Sequence, residues 1–305
     1  MTLGSLLSLF ANNLLPIFLA TGTGYVLGRL VEIEPRALSR VVFYVFSPAL
    51  IFSLLTRNQL GNGDIIRMFG FTAVQMAAVG GLAWLIGRGL RFSRRMMVAV
   101  LLTSVLPNAG NFGLSVSLFA FGETGLAHAS LYFVASGIIA NTAGVYVASL
   151  GRSDYRQALA GLLKVPAIYA VLLAVIFIRM NWELPLPVAR TVDVFSNAAI
   201  PTMLVLLGLL LQRARWSGKA LGLAVANTLR LLASPAVALG LAALLGMAGP
   251  SRQAGVLEAS MPTAVMTTVL ASEFDVEPAF VTGVVFTTTM LSPLTLTPLL
   301  AYLGG

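Results

Sequence analysis

Residues 100–122 read VLLTSVLPNAGNFGLSVSLFAFG, and residues 256–272 read VLEASMPTAVMTTVLAS. Each is an apolar run with a proline in its interior and small or polar residues beside it. Pro107 and Pro262 each remove a backbone donor and clash with the preceding turn, so a helix running through either point breaks there. Asn108, Gly110, Asn111 and Gly113 follow the first break, and Ser260 and Thr263 flank the second. At membrane depth, unpaired backbone is tolerated only inside protein or against a water-filled cavity. Both breaks are therefore expected to line a cavity, provided that the chain spans a membrane.

Composition says that it does. Of 305 residues, 58% are hydrophobic and only 10% are charged, against about 25% charged in an ordinary soluble domain. So few charges cannot cover a soluble surface, which argues against a soluble enzyme, a disordered chain and a nucleic-acid partner. The net charge of +8 is read instead as basic residues on cytoplasmic loops. There is no cysteine, hence no disulfide, no thiolate nucleophile and no cysteine metal site. The single histidine, His128, is expected at an interface; one histidine is not a metal site. Neither a zinc-protease motif nor a serine beside a histidine base is present, so hydrolytic chemistry lacks its parts. No Lys or Arg precedes Arg29, which does not suit a secretory signal, and the first apolar run is expected to be a retained span.

Apolar runs bounded by charge or turn residues predict an all-α polytopic membrane protein of ten transmembrane helices. Spans one to five are Ser8–Leu30, Ala37–Leu55, Ile65–Gly87, Met96–Phe121 (interrupted) and Leu126–Leu150. Spans six to ten are Ala158–Ile178, Val188–Leu211, Leu221–Met247, Gln253–Ala271 (interrupted) and Phe280–Leu300. The first, third, fifth and seventh loops hold thirteen of the nineteen basic residues, among them Arg152, Arg156, Lys164 and Arg215. The positive-inside rule then puts the odd loops in the cytoplasm and both termini outside the cytoplasmic membrane. The ninth loop, with Glu273, Asp275 and Glu277, is acidic, but the rule counts only Lys and Arg.

Prolines recur at matching places. Pro16 and Pro166, Pro48 and Pro201, and Pro107 and Pro262 are 150, 153 and 155 residues apart. The polar turns FGETG (121–125) and ASEFDVE (271–277) follow the two broken spans. Halves of five spans, 1–150 and 151–305, must insert in opposite senses, and inverted repeats are a mark of secondary transporters. Asn108 lies twelve residues into span four and Pro262 nine residues into span nine. At 1.5 Å per residue those depths are about 18 Å and 14 Å, near the middle of a core about 30 Å thick. Half-helices that begin there present free N–H groups and positive dipole ends, which suits an anion such as a carboxylate. Pro107, Asn108, Asn111, Ser260, Pro262 and Thr263 are the candidate substrate-binding residues.

The stretches LSRVVFYVFSPALIF (38–52), LPNAGNFG (106–113) and MPTAVMTTVLASEFDVEPAFVTGVVFTTTMLSPLT (261–295) resemble the auxin efflux carrier family. That family includes the plant PIN-formed carriers and short bacterial members. The resemblance covers essentially the whole chain. It implies two inverted halves, a scaffold of spans one, two, six and seven, and a transport domain of spans three to five and eight to ten carrying crossed helices. It also implies a homodimer through the scaffold. The long cytoplasmic loop of plant members is missing; only GRSDYRQ (151–157) follows span five. More distantly, the chain is similar to the bile acid–sodium symporters, where cations sit by these breaks. The expected function is elevator-type transport of a small organic anion. The alternatives are Na⁺- or H⁺-coupled anion symport, a channel, or a membrane receptor.

Among the ionisable residues inside spans, Glu258 and Arg230 stand out. Glu258 is one turn before Pro262, and an acid at such depth is functional or paired. A neutral Glu258 would carry a proton; an ionised one would need Na⁺ or Arg230, which lies inside span eight, as a structural partner. Gln75 is a second candidate for the ion site, although it and Asn141 suit helix-to-helix hydrogen bonds equally well. Asp193 is expected to pair with Arg190 at the surface. The glycines Gly22, Gly24 and Gly28 suit close helix packing.

Overall fold

The computed structural model describes residues 2–58, 60–149, 165–213 and 218–305. Arg152, Arg156, Lys164, Arg215, the GRSDYRQ loop and the 150/151 boundary of the expected halves lie outside them. Among the described residues the structure is helical and has no strand. The helices are α1 (Gly4–Leu30), α2 (Pro35–Asn58), α3 (Asn62–Gly89), α4 (Arg94–Val105) and α5 (Ala109–Ala148). They continue with α6 (Pro166–Met180), α7 (Leu186–Leu211), α8 (Ala220–Leu244), α9 (Gly249–Ala259), α10 (Met266–Glu273) and α11 (Pro278–Leu303). Seven of them (α1, α2, α3, α5, α7, α8 and α11) are long and apolar enough to cross a membrane. Their outward faces carry Leu30, Ile66, Leu244 and Leu294, all more than 70% exposed. Lipid, unlike water, accommodates such a surface at no cost. The protein is a multi-pass membrane protein.

Both interruptions read from the sequence are present. The helix of span four stops at Val105 and resumes at Ala109; that of span nine stops at Ala259 and resumes at Met266. α5 carries a further break at Gly122 (φ 65°, ψ −163°), a conformation open to glycine and closed to most L-residues. It falls in the FGETG turn, between the expected spans four and five. Prolines shape the rest locally. Pro35, Pro166 and Pro278 open helices, where no N–H is needed. Pro16, Pro48 and Pro235 each follow, by two residues, a π-helical turn: Phe10–Leu14, Val42–Phe46 and Leu229–Ala233. The ring excludes the i−4 carbonyl, and the helix widens by one residue to avoid it.

α1 packs along α7, and α2 packs against α6 and α7. Where α1 meets α7, Gly24 and Gly208 bring two backbones together. A Cβ on Gly24 would lie 2.9 Å from the Val205 carbonyl carbon, and one on Gly208 2.8 Å from the Gly24 carbonyl carbon. Gly28 also faces α7, but nothing lies within 4 Å of a Cβ on Gly22, so two of the three expected packing glycines do that work. Elsewhere α9 packs along α5, α3 packs against α4 and α5, and α2 and α7 also touch α5.

Ion pairs show which loops share a face. Glu34 lies 4.0 Å from Arg213, Arg95 3.1 Å from Asp275, and Lys219 pairs with Glu277. The first, third, seventh and ninth loops therefore meet on one side. The acidic ninth loop is the counter-charge of its basic neighbours. On the opposite side Asp193 pairs with Arg57 at 2.5 Å, not with Arg190 as its sequence proximity suggested. Spacing along one helix could not reveal a partner on another.

Candidate functional site

The broken helices cross at their breaks. Pro107 and Thr263 face each other as an antiparallel pair. Asn108 donates its amide to the Pro262 carbonyl at 2.7 Å, and Ala264 donates to Leu106 at 2.9 Å. Pro107 thus opposes Thr263, the residue after the second proline. Pro107 has no N–H, so the pair can be bonded only through the residues flanking it.

A helix leaves its last carbonyls and its first amides without partners, and the two kinds of end fare differently here. The carbonyls of α4 are taken: Thr103 by the Thr263 hydroxyl at 2.7 Å, Ser104 and Val105 by the Arg230 guanidinium at 2.9 and 3.3 Å. Those of α9 are taken as well. Val256 accepts from the Ser260 hydroxyl at 2.7 Å, and Ala259 accepts from Arg230 and from the Ser234 hydroxyl. Leu257 and Glu258 accept from the amides of Ser260 and Met261. The opposite ends are open. Among the described residues, the amides of Ala109, Gly110, Asn111 and Phe112 have no acceptor, nor do those of Val265 and Met266. Beside them the Asn108 amide nitrogen, in a residue only 4% exposed, donates to nothing. The crossing thus leaves backbone donors and the positive dipole ends of two helices without an acceptor among the described residues.

The expected residues divide accordingly. Asn108 lies in the crossing, and Asn111, partly exposed, lies in its first helical turn. Pro107 and Pro262 shape the breaks. Thr263 is buried, with its hydroxyl on Thr103 and its amide on the Thr288 hydroxyl at 3.1 Å; it ties three helices together. Ser260 turns back onto its own helix. Gln75 accepts from Tyr132 at 3.1 Å and donates to Ser234 at 2.8 Å, a helix-to-helix link. Asn141 and His128 bond carbonyls one turn back in their own helix. His128 is only 7% exposed.

The direct pair of Arg230 with Glu258 is not formed; among the described residues no ion pair joins them. Arg230 is held instead by carbonyls and Ser234. Glu258 is fully buried beside α5: one carboxylate oxygen accepts from Ser117 at 2.9 Å and the other has no partner. Its carboxyl fills the space over Gly113, where a Cβ would lie 2.8 Å from Oε1. Ser117, Tyr132, Thr103 and Thr288 were not singled out in the sequence, and Gly113 was read only as part of the break, not as the seat of a carboxyl. They are ordinary residue types in apolar runs, and only the crossing gives them work.

In this conformation the crossing is closed. The Phe112 ring packs edge-on against Phe18 of α1, centroids 5.8 Å apart. A cavity of about 390 Å³ lies between α1, α2, α5 and α7, lined among others by Pro16, Arg57, Leu118, Glu123 and Asn197. Leu118 is six residues beyond Phe112, about 9 Å along the helix, so the cavity stops short of the crossing. A second cavity of about 560 Å³, lined by Arg57, Trp182 and Asp193, lies farther out.

Apolar helices of membrane length, gathered around two broken helices that cross, define a polytopic membrane transporter. The chain belongs to the family described as Membrane transport protein, which matches residues 9–300, and the resemblance to auxin efflux carriers holds. An uncharacterized transporter of Methanothermobacter thermautotrophicus is 30% identical over 269 residues, covering 88% of each chain. An uncharacterized transporter of Methanocaldococcus jannaschii is 28% identical, covering 88% of this chain and 89% of that one. A Rhizobium meliloti protein named "Putative malonate transporter" is 27% identical over 301 residues, covering 94% of this chain and 93% of that one. The protein is a transporter and not an enzyme.

Proposed function

We propose that this protein is a secondary transporter that carries a small organic anion, a short mono- or dicarboxylate, across the cytoplasmic membrane. The observation that carries the reading is the asymmetry of the crossing: its carbonyl ends are capped by protein, while its amide ends and the Asn108 amide are not. Two open N-termini suit a ligand with two carboxylates, and a relative bears the name of a malonate transporter. Asn108 and Asn111 bind, while Pro107, Pro262, Thr263 and Ser260 hold the two breaks in register.

The chain crosses the membrane ten times in this reading. α1, α2, α3, α7, α8 and α11 make six crossings, and α4 with the start of α5, the rest of α5, α6, and α9 with α10 make the other four. Residues 1–150 and 151–305 form inverted halves, with both termini outside and the basic loops in the cytoplasm. α1, α2, α6 and α7 form a scaffold that pairs with a second copy. The remaining helices move against it as one body and part Phe112 from Phe18. The cavity between α1, α2, α5 and α7 supports such a division.

Purified protein in liposomes should take up labelled malonate with saturation and be inhibited by other short carboxylates. Uptake that rises linearly with concentration would favour a channel, and no uptake of any carboxylate would end the reading. The unpartnered oxygen of buried Glu258 supports coupling to H⁺ or Na⁺ at this residue. Glu258→Gln should then abolish the dependence of uptake on pH or on Na⁺. Wild-type uptake indifferent to both would remove the coupling role.

A further inference from the structure

Arg230 is fully buried, in the π-helical turn of α8, and among the described residues no carboxylate lies within ion-pairing distance of it. A buried charge without compensation is too costly to persist. Its surroundings supply the compensation. The guanidinium donates to Ser104 and Val105 at the C-terminal end of α4, and to Ala259 at the C-terminal end of α9. The negative poles of both half-helices converge on this point. A cluster of backbone carbonyls at two helix C-termini is a cation site by its chemistry, since such oxygens are what hard cations bind. Here a side chain fills it. Ser234 bonds both Arg230 and Ala259, and Gln75 and Tyr132 extend the chain to α3 and α5. One guanidinium thereby joins α4, α8 and α9, and through its neighbours α3 and α5.

We propose that Arg230 is a tethered cation built into the crossing: it occupies the carbonyl site that a free cation would otherwise fill, and it positions the open amide ends for the anion. Val105 is three residues from Asn108, and three residues span at most about 11 Å. At that range and an effective dielectric of about 20, one charge changes the binding of an anion about tenfold. Without Arg230 an incoming carboxylate would meet the uncompensated negative poles of α4 and α9. The effect on the anion rests on the function proposed above; the filling of the carbonyl site does not.

Arg230→Ala empties the site, and small cations then become its probes. The melting temperature of the purified variant should fall, and millimolar guanidinium should restore it while leaving the wild type unchanged. Urea, of the same shape but neutral, should not restore it. Arg230→Lys should keep most of the affinity for malonate, and Arg230→Gln should lose about tenfold. Equal rescue by urea and guanidinium would overturn the proposal. So would equal behaviour of Arg230→Lys and Arg230→Gln, whether both fold or neither does, because lysine keeps the charge. Guanidinium rescue of melting, with no carboxylate bound by any form, would leave Arg230 as assigned and defeat the transport reading instead.

Discussion

Two of the helix contacts in this molecule are built by opposite means. At Gly24 and Gly208, α1 and α7 meet backbone to backbone, with no side chain between them and no polar group to satisfy. At Pro107 and Thr263 the chain comes out of its helices altogether, and the extended segments are bonded through their flanking residues. The first contact is closed: both partners already complete their hydrogen bonds within their own helices. The second is selectively open, with carbonyls satisfied and amides left over. A membrane interior makes the difference meaningful, because no solvent is present to make up what the protein omits. Apolar packing joins α1 to α7, whereas the crossing leaves hydrogen-bond donors unmet, and it is there that the proposed anion would bind.

The largest effect should come from filling the closed contact. Gly208→Ala puts a methyl group into the α1 backbone, and overpacking of this kind costs about 1–3 kcal/mol or more. Thermal unfolding in detergent should show a marked loss, whereas Gly22→Ala, with open space around it, should show none. Equal behaviour of the two would mean that the close approach is not what joins α1 to α7. Next comes Gly113→Ala, which forces the Glu258 carboxyl out of its place over the glycine. Uptake should fall by about tenfold or more, an effect of the size expected when a buried hydrogen bond such as that to Ser117 is lost. Thr288→Val should follow, since it leaves the Thr263 amide buried without an acceptor and costs about 1–3 kcal/mol of stability. The smallest effect should belong to Arg57→Gln. Its pair with Asp193 is half-exposed, and such pairs contribute about 0–1 kcal/mol.

The prolines made the crossing legible in the sequence, because a proline deep in an apolar run has few explanations. The Gly24 and Gly28 contacts were also legible, as small residues along one span. The partners were not. Arg230 stood out as a charge inside a span, and the nearest acid in the expected fold was Glu258. Its actual acceptors are carbonyls of Ser104, Val105 and Ala259, which every residue possesses and no sequence pattern singles out. The register of the crossing was hidden for a related reason. Pro107 faces Thr263 through the backbone bonds of Asn108 to Pro262 and of Ala264 to Leu106, groups that no sequence pattern singles out. The acidic ninth loop made sense only once Arg95 and Lys219 lay beside it.

The central claim is that the open amide ends of the crossing bind the anion, and Asn108 tests it most directly. Its side-chain nitrogen has no partner among the described residues, so Asn108→Ala removes a donor without orphaning an acceptor, and the fold should tolerate the change. Titration of purified wild type and variant with malonate, with melting temperatures measured alongside, reads both consequences. The account predicts an unchanged melting temperature and an affinity weakened by about tenfold, the worth of a hydrogen bond to a charged ligand. An unchanged affinity in a folded variant would contradict it.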